Sequence, residues 1–346
     1  MFRRTTTSTR TPIGTDGRAM SDPTSRHRPR RWSRTVAVAA GVALTAGLAT
    51  AVEAPAGAAP VCPGAGQAPR LVGSVPGAAL EGLTVDKSGR LYTTDIISGR
   101  VYRFSAPGSA GVPITRLPGG GGALAWTPDG TLLAGYGADP RVIVGDALRH
   151  AGIVRINPNT GASRPWVGGL SAANGLDVSA RGNVYATNDF GNLIGRVAPN
   201  GAVNAAWGAL PSANGAVLGR GDRYLYVSRT FVNPGVSRIS TANPRVVQNL
   251  LTLGGADAAA APDGLTLDSQ DRPVVPFNTA GQIVRITSPG RYCVLGGGIP
   301  LSSVLSYGNG TRGFSAGRLF RAGFDGRIYE IPGGFDRGAV AASPTT

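Results

Sequence analysis

The sequence predicts an all-β chain folded as a six-bladed β-propeller of four-stranded antiparallel blades, the ring closed by an N-terminal strand. Three observations predict it. Glycine occupies 53 of 346 positions and proline 26, while aromatics make up only 6 %, a composition suited to many short strands and turns. One strand is written six times: GRVYRF from Gly99, GIVRI from Gly152, NLIGRV from Asn192, GVSRI from Gly235, GQIVRI from Gly281 and GRIYEI from Gly326. Each copy closes a longer unit, and the units begin at Glu81, Gly121, Asn174, Asn214, Asp263 and Ser302, spaced 40, 53, 40, 49 and 39 residues. Self-similarity at that period, in consecutive antiparallel strands, is a propeller signature.

Residues 1–59 stand outside the fold. Arg26, Arg28, Arg30, Arg31 and Arg34 precede the apolar run TVAVAAGVALTAGLATAV and the small-residue site Ala56-Gly57-Ala58, the order of an export signal with its cleavage site. The chain is therefore expected to be secreted and free of the membrane once the signal is removed. The leader takes nine arginines and three acids with it, so the net charge falls from +15 to +9. The remaining bases are scattered without a run, which excludes a nucleic-acid stripe. Residues 60–69 read as a linker, 70–333 as the propeller and 334–346 as a flexible tail.

The blades follow in order. RLVGSVPG (70–77) is a strand with no unit of its own, available to complete the last blade and remove its exposed edge. The first unit, EGLTVDKSGRLYTTDIISGRVYRF (81–104), reads as strand, turn, strand, turn, strand. NGLDVSARGNVYATNDFGNLIGRV (174–197), NGAVLGRGDRYLYVSRTFVNPGVSRI (214–239) and DGLTLDSQDRPVVPFNTAGQIVRI (263–286) repeat it, and the units from Gly121 and Ser302 are looser copies. Segments such as RPWVGGL, VVQNLLTL and RYCVLGGG supply fourth strands; the sixth unit lacks one. Cys62 and Cys293, the only cysteines, are expected to pair, because Cys62 precedes the closing strand and Cys293 lies in the outer strand of the neighbouring fifth blade.

Five of the six repeated strands carry an arginine at one position: Arg103, Arg155, Arg196, Arg238 and Arg285. A residue repeated around a ring cannot serve one asymmetric reaction. These arginines are expected to pair with turn acids or to reach the surface, leaving function to the positions that differ.

The opening residue of each unit does differ, and in a propeller it faces the central channel. Glu81, Asn174, Asn214 and Asp263 offer oxygen ligands there, and beyond residue 59 the chain has only one other glutamate, Glu330. Two carboxylates and two amide carbonyls suit a hard divalent cation such as Ca2+. Asn-Gly and Asp-Gly are also ordinary turn dipeptides, so any one of these residues alone reads as a strand start.

Taken together, Glu-Gly opening the first unit, Asn-Gly opening two middle units and Pro-Asp-Gly-Leu opening a later one resemble the senescence-marker-protein, gluconolactonase and luciferin-regenerating-enzyme family of six-bladed propellers. The resemblance covers about residues 70 to 333. It implies one calcium-type ion held by Glu81, Asn174, Asn214 and Asp263, and hydrolysis of a lactone or similar ester, with Asp263 activating water or attacking directly. Sugar lactonases of the family carry an Arg and an Asn-Asp-Gly-Lys stretch near the third unit, where this chain has Ala173-Asn174-Gly175-Leu176, so the substrate does not transfer.

Loops joining second to third strands surround the same mouth. They bring Asp95, Tyr136, Asn188, Arg229, Phe231, Asn278 and Phe324 as candidate pocket residues. His150, the only histidine after cleavage, is the candidate proton shuttle, with a solvated loop histidine as its alternative. It ends the longest loop, GADPRVIVGDALRHA, a possible lid. Gly313-Phe314-Ser315-Ala316-Gly317 matches a nucleophile pattern in letters only, since a strand follows it and no histidine comes later. Arg220-Gly221-Asp222 is likewise a strand turn.

The expected function is a secreted, metal-dependent hydrolase acting as a monomer on a small molecule. The alternative is a non-catalytic binding propeller with a structural ion. A metal-free condensing enzyme like strictosidine synthase shares the fold, but the retained Glu81 and Asp263 argue against it.

Overall fold

The computed structural model describes residues 59–342. The export-signal reading therefore lies outside the described residues. Among the latter, no helix is long and apolar enough to cross a membrane.

Short apolar runs bounded by glycine turns give twenty-four strands in six antiparallel sheets of four. Blade 1 is β2 (Leu80–Val85), β3 (Leu91–Asp95), β4 (Arg100–Phe104) and β5 (Val112–Arg116). Its two tight turns need glycine, because Gly89 and Gly99 sit at φ 78° and 69°. Blade 2 is β6 (Gly121–Trp126), β7 (Leu132–Tyr136), β8 (Ala151–Ile156) and β9 (Ser163–Leu170), with a short helix α1 (Gly145–Leu148) between β7 and β8. Blade 3 is β10 (Leu176–Val178), β11 (Val184–Ala186), β12 (Leu193–Val197) and β13 (Val203–Ala209). Blade 4 is β14 (Ala213–Leu218), β15 (Tyr224–Arg229), β16 (Gly235–Ser240) and β17 (Val247–Thr252). Blade 5 is β18 (Thr266–Leu267), β19 (Pro273–Phe277), β20 (Gln282–Ser288) and β21 (Arg291–Gly296). Blade 6 is β22 (Ser302–Tyr307), β23 (Leu319–Gly323) and β24 (Arg327–Glu330), completed by β1 (Arg70–Ser74). The pairing Arg70 with Glu330 through Ser74 with Arg327 closes the ring as the sequence predicts.

The hydrophobic core is six layers, one between each pair of adjacent blades. Tyr92 of blade 1, for example, faces Trp126 of blade 2, while Leu91 and Phe104 face Phe320 and Ile328 of blade 6. Both faces of every sheet are thus covered, which is why the strands read as nearly continuous apolar runs rather than clean alternation.

The repeated arginines fasten the outer parts of the blades, by several devices. Arg285 meets a turn acid, Asp268, at 3.1 Å. Arg103 donates to the Pro158 carbonyl, 3.1 Å away in the next blade. Arg155 and Arg238 instead lie over the rings of Trp166 and Tyr224 at 4.2 and 4.4 Å. In the sixth copy the position carries Glu330, which accepts a two-pronged bond from Arg318.

Two segments outside the six units are fixed, the first by the disulfide the sequence predicts and the second against the expectation of a flexible tail. In the 60–69 linker, Cys62 bonds Cys293 with Cα atoms 4.9 Å apart, and backbone bonds Cys62 N to Val294 O and Val294 N to Pro60 O add a rung to the edge of blade 5. The tail packs across the bottom of blades 5 and 6: Gly317 N bonds Ala339 O, Ala341 N bonds Gly308 O, and both alanines are buried. Backbone groups and small side chains make these contacts. A polar, glycine-rich segment gives no hydrophobic period from which to predict them.

Candidate metal centre

The pairings Leu80 with Asp95, Gly121 with Tyr136, Ala213 with Arg229 and Ser302 with Gly323 put the start of each innermost strand and the loop between second and third strands at one end of the ring. Glu81 and Asn214 lie in β2 and β14; Asn174 and Asp263 lie just ahead of β10 and β18. All four are buried, at 3–7 % exposure.

The glycine after each of them has a reason other than turn geometry. None of Gly82, Gly175, Gly215 or Gly264 has a positive φ. Instead the next blade's innermost strand passes so close that a Cβ on Gly82 would stand 2.5 Å from Gly122 O, and one on Gly175 2.2 Å from Asn214 O. Hydroxyls at or near the inner strands staple the contact. Thr94 Oγ1 accepts from Gly82 N at 2.8 Å and donates to Gly122 O at 2.6 Å. Thr187 does the same between Gly175 N and Asn214 O, and Ser303 Oγ donates to Leu80 O across the closure. The X-Gly pattern therefore holds X in register around the axis.

The donor atoms are prepared by their neighbours. Asn214 Nδ2 donates to Thr230 Oγ1 at 2.9 Å, which leaves Oδ1 buried and without a partner. Asp263 accepts from Gly264 N at 2.9 Å and from Asn278 Nδ2 at 3.0 Å. Glu81 Oε2 is buried and unpartnered. Burial, then the charges of Asp263 and Asp189, push the Glu81 carboxyl well above its ordinary range, offset in part by hydrogen bonding from Asn174. Burial and the charge of Asp189 lift Asp263 to about 7. Acids that repel one another beside orphaned oxygens fit a cation. Among the described residues no three His, Cys, Asp or Glu side chains gather closely enough to hold an ion by themselves. Below the ring a cavity of about 50 Å³, lined by Glu81, Asn174, Asp177 and the tail's Ala342, continues along the axis.

Asp189 was not legible as part of this group. It sits between Asn188 and Phe190 in the β11–β12 loop, is 8 % exposed, and its own carboxyl is lifted to about 7 by burial. The repeat offers no aligned acid elsewhere to draw attention to it. Thr230, which turns the Asn214 amide, was also missed.

Of the candidate pocket residues, Asn278 reaches the ring through Asp263, and Phe231 is exposed at the mouth, its ring 4.9 Å from that of Phe190. The others hold the scaffold. Asp95 accepts from Ala79 N, Ile97 N and Ser98 Oγ; Asn188 donates to Val142 O and Ser171 Oγ and accepts from Phe190 N. Arg229 turns outward to Leu251 O at 2.9 Å. Tyr136 lies over Gly152 and Gly168 of its own blade, and Phe324 is half-buried with its amide on Leu301 O. His150 faces Asp139 of the long loop, Nε2 standing 3.7 Å from Oδ1, rather than bonding any ring residue. That loop folds as a 3-10 turn and α1, and Asp146 of α1 accepts from Ser171 Oγ and Asn192 N, pressing it against blade 3.

No family model matches the chain, and no curated protein does. Solved structures do. Regucalcin, a calcium-binding protein from Agrobacterium tumefaciens C58, matches with a TM-score of 0.64 and 18 % identity over 81 % of this chain and 98 % of its own. A gluconolactonase from Xanthomonas campestris gives 0.62 and 15 % over 79 % and 96 %. A luciferin-regenerating enzyme gives 0.58 and 13 % over 80 % and 100 %. At these identities the likeness establishes the fold, and it is the fold of the family that the X-Gly openings resemble.

Proposed function

We propose that this chain is an exported hydrolase of the gluconolactonase-like kind, acting on a lactone or related small ester at a calcium-type ion in the propeller channel. The carrying observation is the convergence of Glu81, Asn174, Asn214 and Asp263 from four blades, with Glu81 Oε2 and Asn214 Oδ1 left without hydrogen-bond partners. These four residues are the proposed ligands. A bound divalent ion supplies Lewis acidity toward the substrate carbonyl oxygen. Asp263, held at both carboxylate oxygens by Gly264 N and Asn278, is the proposed base or nucleophile. Asn278 positions it. His150, whose Nε2 stands 3.7 Å from Asp139 Oδ1, is the proposed proton shuttle. The resemblance to a gluconolactonase and to calcium-binding regucalcin supports the substrate class and the metal. The disulfide supports an oxidising compartment, hence export. A monomer with a small-molecule substrate, and neither nucleic acid nor membrane as partner, completes the proposal.

Calorimetric calcium titration beside an activity panel of lactones, aryl esters and phosphotriesters tests it. Asp263→Asn keeps an oxygen ligand but removes the base, so activity should fall about 10²-fold or more. Glu81→Gln should mainly weaken calcium binding. Calcium binding with no hydrolysis across the panel would favour the binding propeller; no divalent-ion binding at all would refute the centre.

A further inference from the structure

We infer, on the basis of the hydrolase function proposed above, that the substrate carries an apolar chain or ring beside its ester, and that an apolar arc on the rim over blades 2 to 4 receives it. Ile143, Val144 and Leu148 are exposed on the 3-10 turn and α1. Asn188 Nδ2 on Val142 O and Asn192 N on Asp146 Oδ2 press that segment onto the β11–β12 loop. The same loop exposes Phe190, whose ring meets Phe231 of blade 4, with Val232 beside it. Phe190 and Phe231 are 48 % and 56 % exposed although each belongs to a short loop where polar residues would be the default.

This arc adjoins the ring. Thr230, the neighbour of Phe231, accepts from Asn214 Nδ2 at 2.9 Å, and Asp189, the neighbour of Phe190, is buried while both phenylalanines face solvent. Blades 3 and 4, which carry the aromatic pair, also supply the amide ligands Asn174 and Asn214. A hard-oxygen centre next to an apolar rim matches a ligand with an ester head and an apolar body. A polyhydroxylated ring, by contrast, needs many free donors and acceptors, and four polar side chains of the mouth are turned to other tasks: Asp95 and Asn188 hold loop backbone, Arg229 turns outward to Leu251 O, and Asn278 holds Asp263. Leaving sugar hydroxyls desolvated without partners is unfavourable.

The test is a chain-length series of γ-lactones from butyrolactone to decanolactone, with glucono-δ-lactone as the polar control, at saturating calcium. Full burial of each methylene corresponds to roughly fourfold in affinity. For a half-open arc, kcat/KM is expected to rise about twofold per methylene, with glucono-δ-lactone the poorest substrate. In Phe190→Ser/Phe231→Ser the slope against chain length should flatten while calcium affinity stays; Leu148→Ser, farther from the ring, should lower the slope by about half. Hydrolysis with no chain-length slope, or with glucono-δ-lactone preferred, overturns the inference and leaves the hydrolase standing. If neither these lactones nor the aryl esters and phosphotriesters of the panel are hydrolysed, the hydrolase proposal fails. The arc is then judged by calorimetry with an octyl γ-lactam against 2-pyrrolidinone: binding at least 10-fold tighter, lost in the double variant, sustains it, and equal binding overturns it. Co-sedimentation of wild type, but not the double variant, with phosphatidylcholine vesicles would make the arc a lipid-docking face and overturn the substrate assignment.

Discussion

Gly175→Ala isolates the mechanism that holds the ring. The new Cβ would stand 2.2 Å from Asn214 O, 2.5 Å from Thr187 Oγ1 and 2.7 Å from Ala216 N, so backbone of the next blade has to move. Overpacking of this kind costs about 1–3 kcal/mol. Displacing Thr187 also weakens its bonds to Gly175 N and Asn214 O, at about 1 kcal/mol each. A total of about 3–5 kcal/mol follows, and at about 2 °C per kcal/mol for a unit of this size the melting temperature should drop about 6–10 °C. Because the displaced strand carries Asn214, calcium affinity should fall in the same variant. Gly254→Ala is the control: nothing lies within 4 Å of its Cβ, its φ is −145°, and it should melt within about 1 °C of wild type. Circular dichroism melts and calcium titrations of both variants decide it. If Gly175→Ala melts with wild type, glycine is not required for close approach, and the X-Gly pattern would revert to turn chemistry.

Metal-free protein should lose stability as pH rises from about 4 to 7, because burial lifts Asp189 and Asp263 to about 7, so the folded state holds protons that the unfolded chain releases near 4. Saturating calcium or Asp189→Asn should flatten that slope in chemical-denaturation series; a slope that rises with pH refutes the placement of the acids. Replacing both Cys62 and Cys293 by serine should lower stability by about 2–4 kcal/mol, read as a shift in the denaturant midpoint. Removing residues 335–346 should cost about 1–3 kcal/mol through the lost Gly317–Ala339 and Ala341–Gly308 bonds. Faster hydrogen exchange at the Gly317 amide would locate that effect, and unchanged exchange would show that the tail does not hold the channel floor.

Blade count, strand order and ring closure were legible because each blade must solve the same packing problem, and identical problems leave identical letters. The arginine strand is the clearest case. One position recurs, yet Arg285 uses a carboxylate, Arg103 a carbonyl, and Arg155 and Arg238 aromatic faces. Repetition marks where a residue is needed but not what it binds. The tail's packing and the backbone rung of the 60–69 segment were illegible for the opposite reason, although its disulfide was foreseen: backbone bonds make them, and any residue but proline can donate those.

The centre divides along the same line. Glu81, Asn174, Asn214 and Asp263 could be found because they break a repeat at one register. Asp189 could not, because it acts from a loop whose length differs between blades, and no alignment of units brings it beside the others. Its effect is electrostatic: a third buried acid raises the cost of leaving Glu81 and Asp263 without a cation. The same loop turns Phe190 outward. Variable loops therefore set both the charge beside the ring and the apolarity of its rim, while the repeated strands hold the proposed ligands in place. Changing the substrate should accordingly require altering the 137–150 and 187–192 loops, with Glu81, Asn174, Asn214, Asp263 and the glycines after them left as they are.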